Sequence, residues 1–182
     1  TMEGKGDQLP MTIPIIKDGY QSKDEFYHVI INCSGRRTLP KAIEEYALKS
    51  GNYVVDLPIA LEKERKKMML DGGKKDIGAY HGNVGIAYYQ DKNDERGVIY
   101  VPDMLKPDSE EFAYKTFTTL FGEDHVHPIV KNLNTKLYKD KAILNKALYY
   151  EAVEKLSMNM ISTGKGRVIT SKGNINTNAF LE

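Results

Sequence analysis

The sequence predicts a mixed domain of α/β or α+β class: a small mixed sheet with a β-α-β unit and a β-hairpin, and about four packed helices. Three observations carry this. An aromatic and β-branched run, Phe26 to Cys33, is followed by helical spacing and then by a second such run, Tyr53 to Leu57. Strand-like segments flank the polar stretch Asp91–Gly97, which reads as a hairpin turn. Two apolar stripes at helical spacing, within 112–121 and 144–160, need another layer to cover them.

Residues 1–10 are polar and contain glycine, so they are expected to form a flexible arm. Residues 11–161 are expected to be a single domain, and 162–182 a polar, basic tail. Within the domain, Phe26–Cys33 is the first buried strand. Pro40 suits the first turn of a helix, where a missing N–H costs nothing. Ala42, Ile43, Tyr46 and Ala47 share one face of that helix, and Gly51 ends it as a left-handed cap. Tyr53–Leu57 is the second strand.

Ile59 to Leu70 reads as a helix with a charged middle, stopped by Asp71-Gly72-Gly73. The hairpin runs from Ile77 to Val101. Asp108 or Ser109 caps the next helix, whose stripe is Phe112, Ala113, Thr116, Phe117, Leu120 and Phe121, with Gly122 at its end. Val126–Leu137 is compatible with a short strand or a bent helix. Asp140 is expected to cap a long helix reaching Ile161, with Leu144, Leu148, Ala152, Leu156 and Met160 on its core face. The tail, poor in apolar residues, either forms a hairpin around Ser171–Gly173 or lies on a partner. No internal repeat is visible.

Composition narrows the function classes. The hydrophobic fraction of 41% is that of a globular chain. The 26 basic and 25 acidic residues nearly cancel, which excludes binding to nucleic acid through a whole-body positive field and confines any such role to a local patch. Lys outnumbers Arg by 21 to 5, as in a low-GC genome. With Cys33 as the one cysteine, no intrachain disulfide can form, which favours a reducing, cytoplasmic location. No apolar run reaches the ~20 residues of a spanning helix.

Several constellations carry chemistry. The turn Ser34, Gly35, Arg36, Arg37 leaves a strand and enters a helix, where backbone N–H groups can cradle an anion. A cysteine-dependent phosphatase would also need an Arg six positions after Cys33, and Leu39 stands there. The simpler reading of Cys33 is a buried structural residue. His125 and His127 lie on one face if their segment is a strand, a spacing that suits two metal ligands, with a third from His28, His81 or Glu123. The plain alternative is a polar loop.

Asp103, Glu110, Glu111 and Lys115 have the residue types of a metal-dependent nuclease, but Glu111 and Lys115 are at the i,i+4 spacing of a surface ion pair. Gly164-Lys165-Gly166-Arg167 is only a fragment of a phosphate loop. Lys63, Arg65, Lys66 and Lys67, with Lys165, Arg167 and Lys172 of the tail, could contact a nucleic-acid backbone; a solvated helix face is the alternative. Tyr88, Tyr89, Tyr100, Tyr149 and Tyr150 could stack on bases, or pack in a core.

No catalytic set is complete and no cofactor is indicated. The expectation from sequence is a non-enzymatic binding or assembly module of a larger intracellular complex, with a protein partner or self-association, nucleic acid as a further partner, and no membrane. The alternative is a phosphate-centred enzyme, nuclease or hydrolase, using the Cys33–Arg37 turn or the His125/His127 pair.

Overall fold

The computed structural model describes residues 8–35, 38–60, 82–131, 136–155, 157–170 and 172–182. It begins with a hairpin. Strand β1 (Gln8–Lys17) pairs antiparallel with β2 (Tyr20–Asn32) across Asp18-Gly19, both at positive φ, 53° and 85°. An Asp-Gly pair in that conformation is the turn that matches strand twist. Residues 8–10, expected in a flexible arm, belong to β1.

Helix α1 (Pro40–Ser50) follows with Pro at its start and Gly51 at φ 68° as its cap. Strand β3 (Tyr53–Asp56) then lies parallel to β2, Val29 opposite Tyr53 and Asn32 opposite Asp56. The expected β-α-β unit is present, with an extra antiparallel strand on its outside.

The same arrangement recurs. Strand β4 (Ile86–Gln90) is antiparallel to β5 (Arg96–Tyr100), helix α2 (Glu110–Phe121) follows, and β6 (Val126–Val130) lies parallel to β5. A short β7 (Ile143–Leu144) extends this sheet. After helix α3 (Lys146–Glu154) a third hairpin, β8 (Ile161–Gly164) and β9 (Arg167–Ile169), leads into helix α4 (Ile175–Leu181). The described residues thus contain two ββαβ units and a ββα unit, a structural repeat that the sequence does not display.

Successive units touch through their first strands. The Tyr88 hydroxyl of β4 donates to the Thr12 carbonyl of β1 at 3.2 Å. Gln90 at the end of β4 receives a bond from Gly166 N–H and donates its own N–H to Ser162 Oγ.

Alternation along β5 divides the core in two. Val98 and Tyr100 point into a cluster with Ile13, Ile31, Phe117 and Phe121, between the first two units. Ile99 and Val101 point the other way, onto Ile129, Leu148, Ala152 and Met158. All five residues of β5 are buried, as expected for a strand covered on both faces.

The mixed α/β class is as predicted, but the single small sheet is corrected to three sheets among the described residues, carried with four α-helices. The expected long helix is also shorter. Asp140 lies in a turn, and Asn145 is the cap, its Oδ1 accepting from Ala147 and Leu148 N–H at 3.0 and 3.1 Å. Leu144 is a strand residue and exposed, while Leu148 and Ala152 are buried as expected. The tail hairpin turns at Lys165-Gly166, not at 171–173. The helix expected over Ile59–Leu70 lies mainly outside the described residues. Among the described residues no helix is long and apolar enough to cross a membrane.

Candidate functional site

A cleft of about 340 Å³ lies where the third unit meets the second sheet. Its floor is built from neighbouring strands: Tyr89 on β4, Ile99 on β5 and His127 on β6. Val168 of β9 and Phe180 of α4 close the opposite side, and Gln90, Asp91 and Lys92 form a polar rim.

Tyr89 and His127 are joined twice. Their rings stack with centroids 5.7 Å apart and planes at 27°, and the Tyr89 hydroxyl lies 2.8 Å from His127 Nε2. Phe180 meets the imidazole edge-on at 6.3 Å. Gly97 makes the arrangement possible. A Cβ there would fall 2.4 Å from the Tyr89 hydroxyl and 2.4 Å from the His125 carbonyl oxygen.

The electrostatics favour uncharged partners. Burial, helped by the charges of His125 and Lys141, pushes the His127 pKa below its usual value. Burial, then the carboxylates of Asp91 and Glu95, pushes the Tyr89 pKa well above its usual value. A protonated phenol beside a neutral imidazole donates to Nε2, which assigns the ring proton to Nδ1. Asp91 is oriented by two backbone donors, Asn93 N–H at 2.7 Å and Glu95 N–H at 2.9 Å, both to Oδ1.

A buried carboxylate ties the last helix to α3 beside the cleft. Glu151 of α3 accepts from the N–H groups of Asn176 and Thr177 and from both their side chains. It therefore satisfies the first turn of α4, which has no capping side chain of its own. Burial opposes its charge, but these four bonds outweigh it and hold the carboxyl down to about 2.

The residues singled out in the sequence fare differently. His127 lines the cleft; His125 ends the 3-10 turn before β6. Among the described residues no three His, Cys, Asp or Glu side chains form a metal-binding group, and His81 lies outside them. Ser34 gives its N–H and hydroxyl to the Asp56 carboxylate, at 2.8 and 2.6 Å, and Gly35 N–H bonds to the Thr38 carbonyl. Arg36 and Arg37 lie outside the described residues, as do Lys63, Arg65, Lys66 and Lys67. Lys165, Arg167 and Lys172 are exposed on the third unit.

Asp103 bonds to the Tyr149 hydroxyl, Glu110 accepts from Tyr138, and Glu111 pairs with Lys115 on the surface. The nuclease set is thus dispersed among structural partners. Tyr100 is buried in the core and Tyr149 nearly so, whereas Tyr150 is exposed. The Tyr89–His127 pair was not foreseen.

No family model matches the chain. No curated protein matches it either. Solved structures do. The N-terminal domain of ArgZ covalently bonded to a reaction intermediate matches with TM-score 0.50 and 12% identity, over 98% of this chain and 46% of that one. Apo ArgZ, an arginine dihydrolase from the ornithine-ammonia cycle in cyanobacteria, matches with TM-score 0.53 and 13% identity, over 98% of this chain and 20% of that one. The substrate-bound N-terminal domain gives 0.50 and 13%, with 98% and 46% covered.

The likeness is one of fold, and the chain spans about half of that domain. The expectation of a non-enzymatic binding or assembly module is corrected by this finding: the solved structures that match are of an arginine dihydrolase. Of the Cys33–Arg37 turn, Arg36 and Arg37 lie outside the described residues. Cys33 is buried, and its Sγ would lie 2.3 Å from a Cβ at Gly82.

Proposed function

We propose that this chain is an enzyme-related domain whose cleft binds a small guanidine-bearing molecule, with arginine as the leading candidate. The observation that carries this reading is the Tyr89–His127 pair: two neutral, hydrogen-bonded rings on the floor of a cleft with a carboxylate, Asp91, at its rim. Tyr89, His127 and Phe180 supply aromatic surface for a planar cation. Asp91 supplies its counter-charge. The fold likeness to an arginine dihydrolase domain supports the choice of ligand class.

Isothermal titration calorimetry with arginine tests it. Arginine is expected to bind, and more tightly than lysine, because only the guanidinium is planar. His127→Ala and Asp91→Asn should each weaken binding by about tenfold or more, roughly 1.4 kcal/mol. Absence of binding at millimolar arginine, or equal affinity in both variants, would overturn the reading.

A further inference from the structure

Arg96 opens β5 on the opposite side of the sheet from the cleft, at the seam between the first two units. It is 8% exposed. No Asp or Glu among the described residues forms an ion pair with it, and its Nη1 is buried without a hydrogen-bond partner. A buried guanidinium is ordinarily matched by an anion, since desolvating it unpaired is costly.

Among the described residues, aromatic and hydroxyl side chains lie around Arg96. The Tyr88 hydroxyl, on the neighbouring strand, donates to the Thr12 carbonyl at 3.2 Å. The Phe26 ring covers the guanidinium, with its centroid 5.4 Å from Cζ. Beyond Phe26 are His28, 5.9 Å away ring to ring, and Thr12, whose Oγ1 is 3.5 Å from His28 Nδ1.

The cover follows a bulge. Pro14 pairs with Phe26, but Ile16 pairs with Gln21, so residues 22–25 bulge from β2 immediately before Phe26. A bulge frees the backbone from the ladder and re-aims the neighbouring side chain. Phe26 is itself 46% exposed, so its ring lies between Arg96 and solvent. Gln21 anchors the strand on the other side of the bulge, its amide donating to the Arg96 and Phe121 carbonyls and accepting from Arg96 N–H. The Arg96 backbone is therefore anchored beside the bulge that precedes Phe26.

We propose that Arg96 is the centre of a binding site for a small oxyanion, a phosphate or carboxylate group, gated by Phe26, with Tyr88, Thr12 and His28 as hydrogen-bonding neighbours. The site is separate from the cleft at His127 and does not depend on the ligand proposed there.

Thermal unfolding with inorganic phosphate or acetate, each against chloride at equal ionic strength, tests this. At saturation one of the two anions should raise the Tm by about 2–4 °C. A rise with phosphate alone identifies the phosphate class, and a rise with acetate the carboxylate class. Arg96→Gln should abolish the rise, and a double Arg36→Ala, Arg37→Ala variant should keep it. Phe26→Ala should reach the same rise at lower anion concentration. An undiminished rise in Arg96→Gln, or no rise in either wild type or Phe26→Ala, overturns the site. If Arg96→Gln does not fold, Phe26→Ala decides: an unchanged concentration dependence overturns the proposal.

Discussion

The carboxylate of Glu151 holds the N-terminus of α4 through Thr177, accepting from its backbone N–H at 2.8 Å and its hydroxyl at 3.0 Å. One side chain on α3 thereby fixes the helix that carries Phe180 into the cleft. Glu151→Ala leaves buried donors without a partner and should cost about 2–4 kcal/mol. Denaturant unfolding measures this; a loss below half a kcal/mol would show that α4 is held by something else.

The same carboxyl predicts an acid limb. Its folded pKa of about 2 lies below the ordinary value of 4.5 for the carboxyl in the unfolded chain. Its contribution to stability is therefore complete above that unfolded value and is lost as pH falls through the window down to about 2. Subtracting the stability–pH curve of Glu151→Gln from that of wild type should leave a step in that window. A flat difference would mean that the carboxyl is not held in its charged form.

Gly97 should tolerate no side chain. Gly97→Ala places a methyl on the Tyr89 hydroxyl and the His125 carbonyl, one of them backbone that cannot yield cheaply. Overpacking of this kind should cost about 1–3 kcal/mol. Displacing the Tyr89 ring should also weaken arginine binding. A melt and a titration on the same variant check both, and wild-type values in each would refute the packing argument.

Leu148 is 1% exposed in the cluster behind the cleft. Leu148→Ala should cost about 2–5 kcal/mol, the range for a large-to-small change in a core. Chemical denaturation of this variant provides the measurement.

The parts legible in the sequence were those with local signals. Pro40 and Gly51 framed α1, and the Phe112–Phe121 stripe marked α2. The first hairpin had a signal too, Asp18-Gly19, but Pro10 and Pro14 in β1 and the polar bulge in β2 obscured the alternation on either side. α3 was drawn too long because the four-residue apolar period runs on past Asn145 in one direction and Lys155 in the other, where capping and turning of the backbone stop it. The repeat was invisible because it lies in strand order and direction, which different side chains can build. His127 was singled out as a metal ligand, and Tyr89 as a stacking or packing residue. Their partnership depends on β4, β5 and β6 being neighbours, and the crossover through α2 that makes them so leaves no mark at either residue.

The central claim is that His127 is a neutral imidazole facing a guanidine ligand. Nitrogen-15 NMR of the histidine side chains tests it most directly. Unliganded His127 should titrate below the usual histidine value, in line with its burial. Arginine should shift its ring resonances in a saturable way while leaving those of exposed His28 in place. A His127 that titrates like a free histidine, and whose ring nitrogens are unmoved by arginine, would contradict the account.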